Sequence, residues 1–125
     1  MKKLETISII LMVEDNQGNK LEYNNFLRKA SNVFGGFTTT NQKGGWFSEE
    51  TDSIMIDESI KLDLCFATDE YSYQHESIIQ SILEYLFITG GQEAVFASIN
   101  GQSYILESDD ILEFSEQIAT LSFTL

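Results

Sequence analysis

A chain of 125 residues with 42% hydrophobic and 12% aromatic content suits one folded domain, residues 1–125, and argues against wholesale disorder. Its net charge of −13 is lopsided: residues 1–61 carry all seven Lys and Arg against nine acids, whereas eleven Asp and Glu and no cation follow Lys61. A field of that sign disfavours direct contact with nucleic acid or an anionic membrane, and one Cys (Cys65) with one His (His75) leaves no intramolecular disulfide and no usual Cys/His zinc set within a protomer.

Met1-Lys2-Lys3 followed by Ile7 to Val13 imitates a signal peptide, but the run is short, lacks a small-residue cleavage site and leads into Glu14-Asp15. It is expected to be a buried central strand of a cytoplasmic protein. Asn16 to Asn19 reads as a turn, with Asn19 and Glu22 spaced like a capping box. Tyr23, Phe26, Ala30, Val33 and Phe34 then recur at helical spacing, and Gly35-Gly36 supplies the stop. Phe37 to Thr40 is short and extended, Asn41 to Gly45 is expected to turn, and Trp46-Phe47 resumes an extended path. In the strand that follows, Ile54, Ile56, Ile60, Leu62, Leu64 and Phe66 share one face, interrupted by Glu58.

Ser72 is the expected N-cap of a second helix with Ile78, Ile79, Ile82, Leu83 and Leu86 on its stripe, ending at Gly90-Gly91. Asn100-Gly101, flanked by apolar runs, predicts a type I′ hairpin, because that turn needs positive φ at both central residues. Ser108 opens a third helix marked by Ile111, Phe114, Ser115, Ile118 and Leu121. This order predicts an α+β, ferredoxin-like split βαβ fold: an antiparallel sheet with two helices on one face, plus a C-terminal hairpin strand and short helix. Ile10, Met12, Val95 and Ile99 leave apolar residues for the second sheet face, which either the last helix or a second protomer must cover.

Gly36-Phe37-Thr38 after the first helix, Gly45-Trp46, Glu58 inside the next strand and Gln92-Glu93-Ala94-Val95 before the late hairpin together resemble a pattern in small uncharacterised proteins of prokaryotes and their phages. The resemblance spans residues 5–107. It implies the ferredoxin-like fold and a mobile-element setting, and brings no activity or catalytic residue with it.

Candidate chemistry is sparse. The glycine pairs lack the spacing of a phosphate loop, no nucleophile elbow is present, and the acid pairs lack the spaced oxygens of a calcium loop, so no cofactor or metal is expected. A carboxylate at Glu58 must find hydrogen bonds, a cation or a raised pKa, unless a β-bulge at Asp57-Glu58 turns it outward. His75 falls on the apolar stripe of the second helix and forms, with Glu58, a candidate buried polar pair. Lys43, Trp46 and Phe47 could form an aromatic platform, and Tyr71 and Tyr73 a binding edge. Glu113 and Glu116 extend the acidic field.

The leading expectation is therefore a non-enzymatic binding protein, of phage or mobile-element type, that inhibits a basic, nucleic-acid-binding host protein through its acidic C-terminal half. One alternative is an oligomer, paired through the open sheet face, that holds a nucleotide or other small molecule with Trp46, Tyr71, Tyr73, Arg28, Lys29 and Lys43. Another is a small enzyme using Glu58 and His75 as acid and base.

Overall fold

A computed structural model describes residues 1–123. The elements run β1 (Leu4–Met12), α1 (Asn24–Phe34), β2 (Thr38–Ser48), β3 (Ser53–Ala67), α2 (Tyr73–Ile88), β4 (Val95–Ile99), β5 (Gln102–Leu106) and α3 (Ile111–Thr120). The sheet order is β2-β3-β1-β4-β5 with every neighbouring pair antiparallel, a ferredoxin-like α+β sheet extended by one edge strand.

Alternation in the strands sends Ile7, Ile9, Leu11, Leu62, Leu64, Phe66, Val95 and Ala97 to one face, where Ala30, Ile79, Ile82, Leu86 and Ile118 of the helices meet them in a single buried core. Each Val, Leu, Ile or Phe side chain among them contributes about 1.5–3 kcal/mol by leaving water. Tyr23 precedes α1, donates its hydroxyl to the Met12 carbonyl and meets Tyr85 of α2 edge-on at 5.5 Å, which fixes α1 to α2 at their shared end. Among the described residues no helix is long and apolar enough to cross a membrane.

Several local expectations hold for their stated reasons. Gly35 ends α1 at φ 84°, Ser72 opens α2 in a capping box with His75, and Asn100 and Gly101 take φ 50° and 83° as a type I′ turn demands. Others are corrected. Asn19 does not cap α1, because Asp15 captures it: one carboxylate oxygen accepts the Gln17 and Asn19 amides at 2.9 and 2.8 Å, closing a tight turn before the helix. The expected turn at Asn41–Gly45 is instead the middle of β2; the chain reverses between Ser48 and Ser53, where Asp52 adopts φ 51°. No bulge interrupts β3, whose register with β2 runs unbroken from Thr38↔Asp63 to Ser48↔Ser53.

Nor does the last helix cover the second face. Phe114 of α3 meets Tyr104 of β5 edge-on at 6.2 Å and α3 packs beside α2, so all three helices lie on one side. The opposite face keeps Ile10 and Met12 half-buried and leaves Phe96 56% and Ile105 64% exposed, whereas Val95 and Ile99, expected on it, alternate into the core beneath the helices.

Candidate functional site

The pairing of β1 with β3 ends at Met12↔Ser59, whereas β2 and β3 continue together for six further residues to Ser48↔Ser53. The outer part of this hairpin therefore projects past the sheet and past the helices. Glu58 is the first residue of β3 beyond β1. It keeps the face it shares with Ile56 and Ile60, yet it is exposed, since at that point no helix remains above it. The reading of Glu58 as a buried carboxylate is thus corrected.

Two clefts meet at this root. The first, of about 620 Å³, lies between the β1–α1 turn and β3, with Glu14, Asp15, Asp57 and Glu58 around Met12 and Ile56. No Lys or Arg lines it, so its potential favours a cation. The Asp15 carboxyl is held below its usual range, chiefly by the Asn19 amide, with Gln17 assisting against slight burial. Among the described residues the carboxylates of Glu14, Asp57 and Glu58 have no hydrogen-bonding or ionic partner, and no group of three ligating side chains is gathered closely enough to hold a metal ion. Asn16 ties this loop to the α2–β4 loop by donating to the Gly91 carbonyl at 2.7 Å, and Gln92 completes the wall. The second cleft, of about 570 Å³, opens on the uncovered sheet face and shares Met12 and Asp57 with the first.

His75 has a different place. Its Nδ1 accepts the Ser72 amide at 3.1 Å and meets the Ser72 hydroxyl at 2.8 Å, while Phe34, Phe66 and Tyr71 enclose the ring. Burial pushes its pKa down, against an opposing pull from Glu70. Its ring centroid lies 5.9 Å from Phe66, a residue ~26 Å along β3 from Glu58 at the strand rise per residue. The structure therefore does not join Glu58 and His75 into an acid–base pair within the protomer.

The other candidates are scattered. Trp46 and Phe47 are exposed on the projecting hairpin with Ile54, Met55 and Ile56, and Lys43 stands directly across from Glu58 without an ion pair to it. Tyr71 packs on Phe66 with its hydroxyl buried and unpartnered, whereas Tyr73 points into solvent. Glu113 and Glu116 are exposed on α3, which takes no part in either cleft. Sequence reading missed the Glu14, Asp57, Asn16 and Gln92 contributions, for which only the turn signal at Asn16 to Asn19 offered a hint. It also missed Glu5, a carboxylate only 2% exposed that accepts from Asn100 and, at 2.8 Å, from Thr68.

No protein-family model matches the chain, and no curated protein matches it significantly. Solved structures do. A phage SAM lyase in complex with S-methyl-5′-thioadenosine superposes with TM-score 0.56 at 10% identity over 87% of this chain and 93% of that one. The phage SAM lyase in its apo state gives 0.55 at 12% over 82% and 88%. A Bacillus subtilis GlnK–ATP complex gives 0.47 at 10% over 77% and 80%. At these identities the likeness to the lyase establishes a shared small α+β fold. It also corrects the expectation of a non-enzymatic protein: the fold is one that an enzyme uses, so a lack of familiar catalytic motifs does not set this chain apart from catalysts.

Proposed function

We propose that this protein is a small lyase acting on S-adenosylmethionine, or on a sulfonium nucleoside like it, in a phage or mobile-element setting. The observation that carries the reading is Glu58, exposed and unpartnered in an acidic cleft free of cations at the root of the β2–β3 hairpin. The fold it shares with a phage SAM lyase supports the choice of substrate. The basic protein partner expected from the charge asymmetry draws no support from these neighbours.

The chemistry suits the cleft. To release S-methyl-5′-thioadenosine without water, the bond between sulfur and Cγ of the amino-acid arm must break. The arm's own carboxylate can attack Cγ: an O–Cγ bond forms, the Cγ–S electron pair passes to sulfur, and the products are the neutral thioether and homoserine lactone. No protein nucleophile is required. Two charges, the sulfonium and the attacking carboxylate, disappear in this step, so water-poor surroundings favour it, whereas an anion held against the sulfonium would stabilise the substrate more than the transition state. The α-ammonium keeps its charge throughout. We therefore assign Glu58, with Glu14 beside it, to the ammonium, and Met12 and Ile56 to the sulfur. Held this way, the arm is oriented for ring closure, and orientation is the main lever on an intramolecular attack.

Incubation with S-adenosylmethionine, followed by mass spectrometry of the products, tests this. S-methyl-5′-thioadenosine and homoserine lactone are expected from the wild type, with a loss of at least a hundredfold in Glu58→Gln at unchanged melting temperature. Substrate left intact at stoichiometric protein would refute the lyase reading.

A further inference from the structure

Resting on the lyase reading, we propose that the substrate lies across both clefts, its purine nucleoside seated in the sheet-face cleft over Gly44 and its amino-acid arm in the acidic cleft. The sheet-face cleft has the character of a nucleoside site. Ile10 and Met12 of β1 form an apolar floor, Phe96 of β4 an aromatic wall, and Gln42 and Asp57 a polar edge. Its volume of about 570 Å³ falls within the range of small-molecule pockets. Phe96 stands 56% exposed with no ring partner among the described residues, a free surface for a base to stack on.

Gly44 gives independent support. It sits inside a strand, is absent from the glycines of positive φ, and a Cβ added to it would meet nothing within 4 Å. Neither backbone conformation nor packing within the protomer therefore calls for glycine, and a bare position in a strand is a mark of close approach by something else. Its cross-strand partner is Asp57, which lines both clefts. The ladders set Met12 between Phe96 and the Gly44–Asp57 pair on the cleft floor, so the ligand folds back over Met12: base between Phe96 and Gly44, ribose hydroxyls donating to Asp57, sulfur at Met12, amino-acid arm at Glu58.

The test is calorimetric titration of adenosine and S-methyl-5′-thioadenosine into wild type, Gly44→Val and Phe96→Ala, with circular dichroism and sedimentation of each. Both substituted positions are open to solvent, so folded variants are expected. The wild type should bind both ligands, each variant should bind them at least tenfold more weakly, and Asp57→Asn should narrow the preference for adenosine over 2′-deoxyadenosine. Unchanged affinities in both variants, beside a wild type that cleaves S-adenosylmethionine, would overturn the subsite and leave the lyase reading standing. Adenosine binding that both variants lose, from a wild type that cleaves nothing, would keep the subsite and sink the lyase. A wild type that binds neither ligand overturns the subsite, as do variants that change only the sedimentation coefficient, which would give this face to a second copy of the chain.

Discussion

Replacing Asn100 by Gly isolates one polar tie between distant parts of the fold. Asn100 accepts the Thr6 amide on its side-chain oxygen at 2.8 Å, donates its own amide to the Thr6 carbonyl at 2.8 Å, and gives its side-chain NH₂ to the buried Glu5 carboxylate. Glycine tolerates the positive φ of 50°, so the turn survives and only the side-chain bonds are lost. A hydrogen bond to a charged group contributes about 1.5–3 kcal/mol and one to a backbone amide about 0.5–1.5, so a loss of roughly 2–4 kcal/mol is expected. In a chain of this size that lowers the melting temperature by roughly 10 °C. The deficit should also depend on pH. Burial alone would raise the Glu5 pKa, but Asn100, Thr68 and Lys3 outweigh it and hold the folded value below the ordinary one. Stability from this carboxylate is then present above its unfolded pKa and is lost as pH falls through the folded value. Urea titrations of wild type and variant at pH 7 and pH 3 measure both effects. A difference below 1 kcal/mol, or one that does not shrink in acid, would refute this account of Glu5.

His75→Ala, which removes the ring that accepts the Ser72 amide, should lose about 1 kcal/mol or more with the N-terminal cap of α2, measured by chemical denaturation at pH 7. Because burial lowers the folded pKa of His75, the unfolded chain takes up its proton first, so wild-type stability should decline as pH falls below about 6.5, and that part of the decline should be absent from the variant. Gly90→Ala places a Cβ 2.6 Å from the Leu86 carbonyl oxygen, a backbone atom that cannot swing aside, and should cost roughly 1–3 kcal/mol in thermal melts. The exposed Trp46, Phe47 and Ile54 need cover, since a lone two-stranded ribbon is marginal in water; a homo-oligomer by light scattering that dissociates in Trp46→Ser with Ile54→Ser is the expected outcome, and a monomeric wild type would count against it.

Features governed by a few neighbouring residues were legible in the sequence. The turn at Asn100-Gly101, the stop at Gly35 and the cap at Ser72 all follow from backbone requirements within four residues, and strand alternation placed the core face of β1 and β3. The candidate site was legible only as an anomaly at Glu58. Periodicity tells which face a side chain takes but not how far the helices reach over that face, so a residue beyond their edge reads like a misfit in the core. Gly44 and Gly45 look like a turn to any local rule, since what distinguishes a turn glycine from an unfilled strand position is the space across the sheet. Asn19 likewise has a capper's spacing, and only the capture of its amide by Asp15 reveals the other use. Glu5 depends on Asn100, 95 positions away, and its burial has no local signature.

The unequal lengths of β1 and β3 divide the molecule by lifetime as well as by shape. Amides from Ser59 to Asp63 sit between two paired strands, and release their protons only when the whole domain opens. Those from Gly44 to Ser48 and from Ser53 to Asp57 are held by one ladder alone, and exchange each time the hairpin frays. Glu58 stands on the boundary between the slow and the fast half. A ligand bridging the two clefts would clamp the fast half to the slow one, so occupancy would be recorded as deuterium retained in the hairpin, with no change in the core.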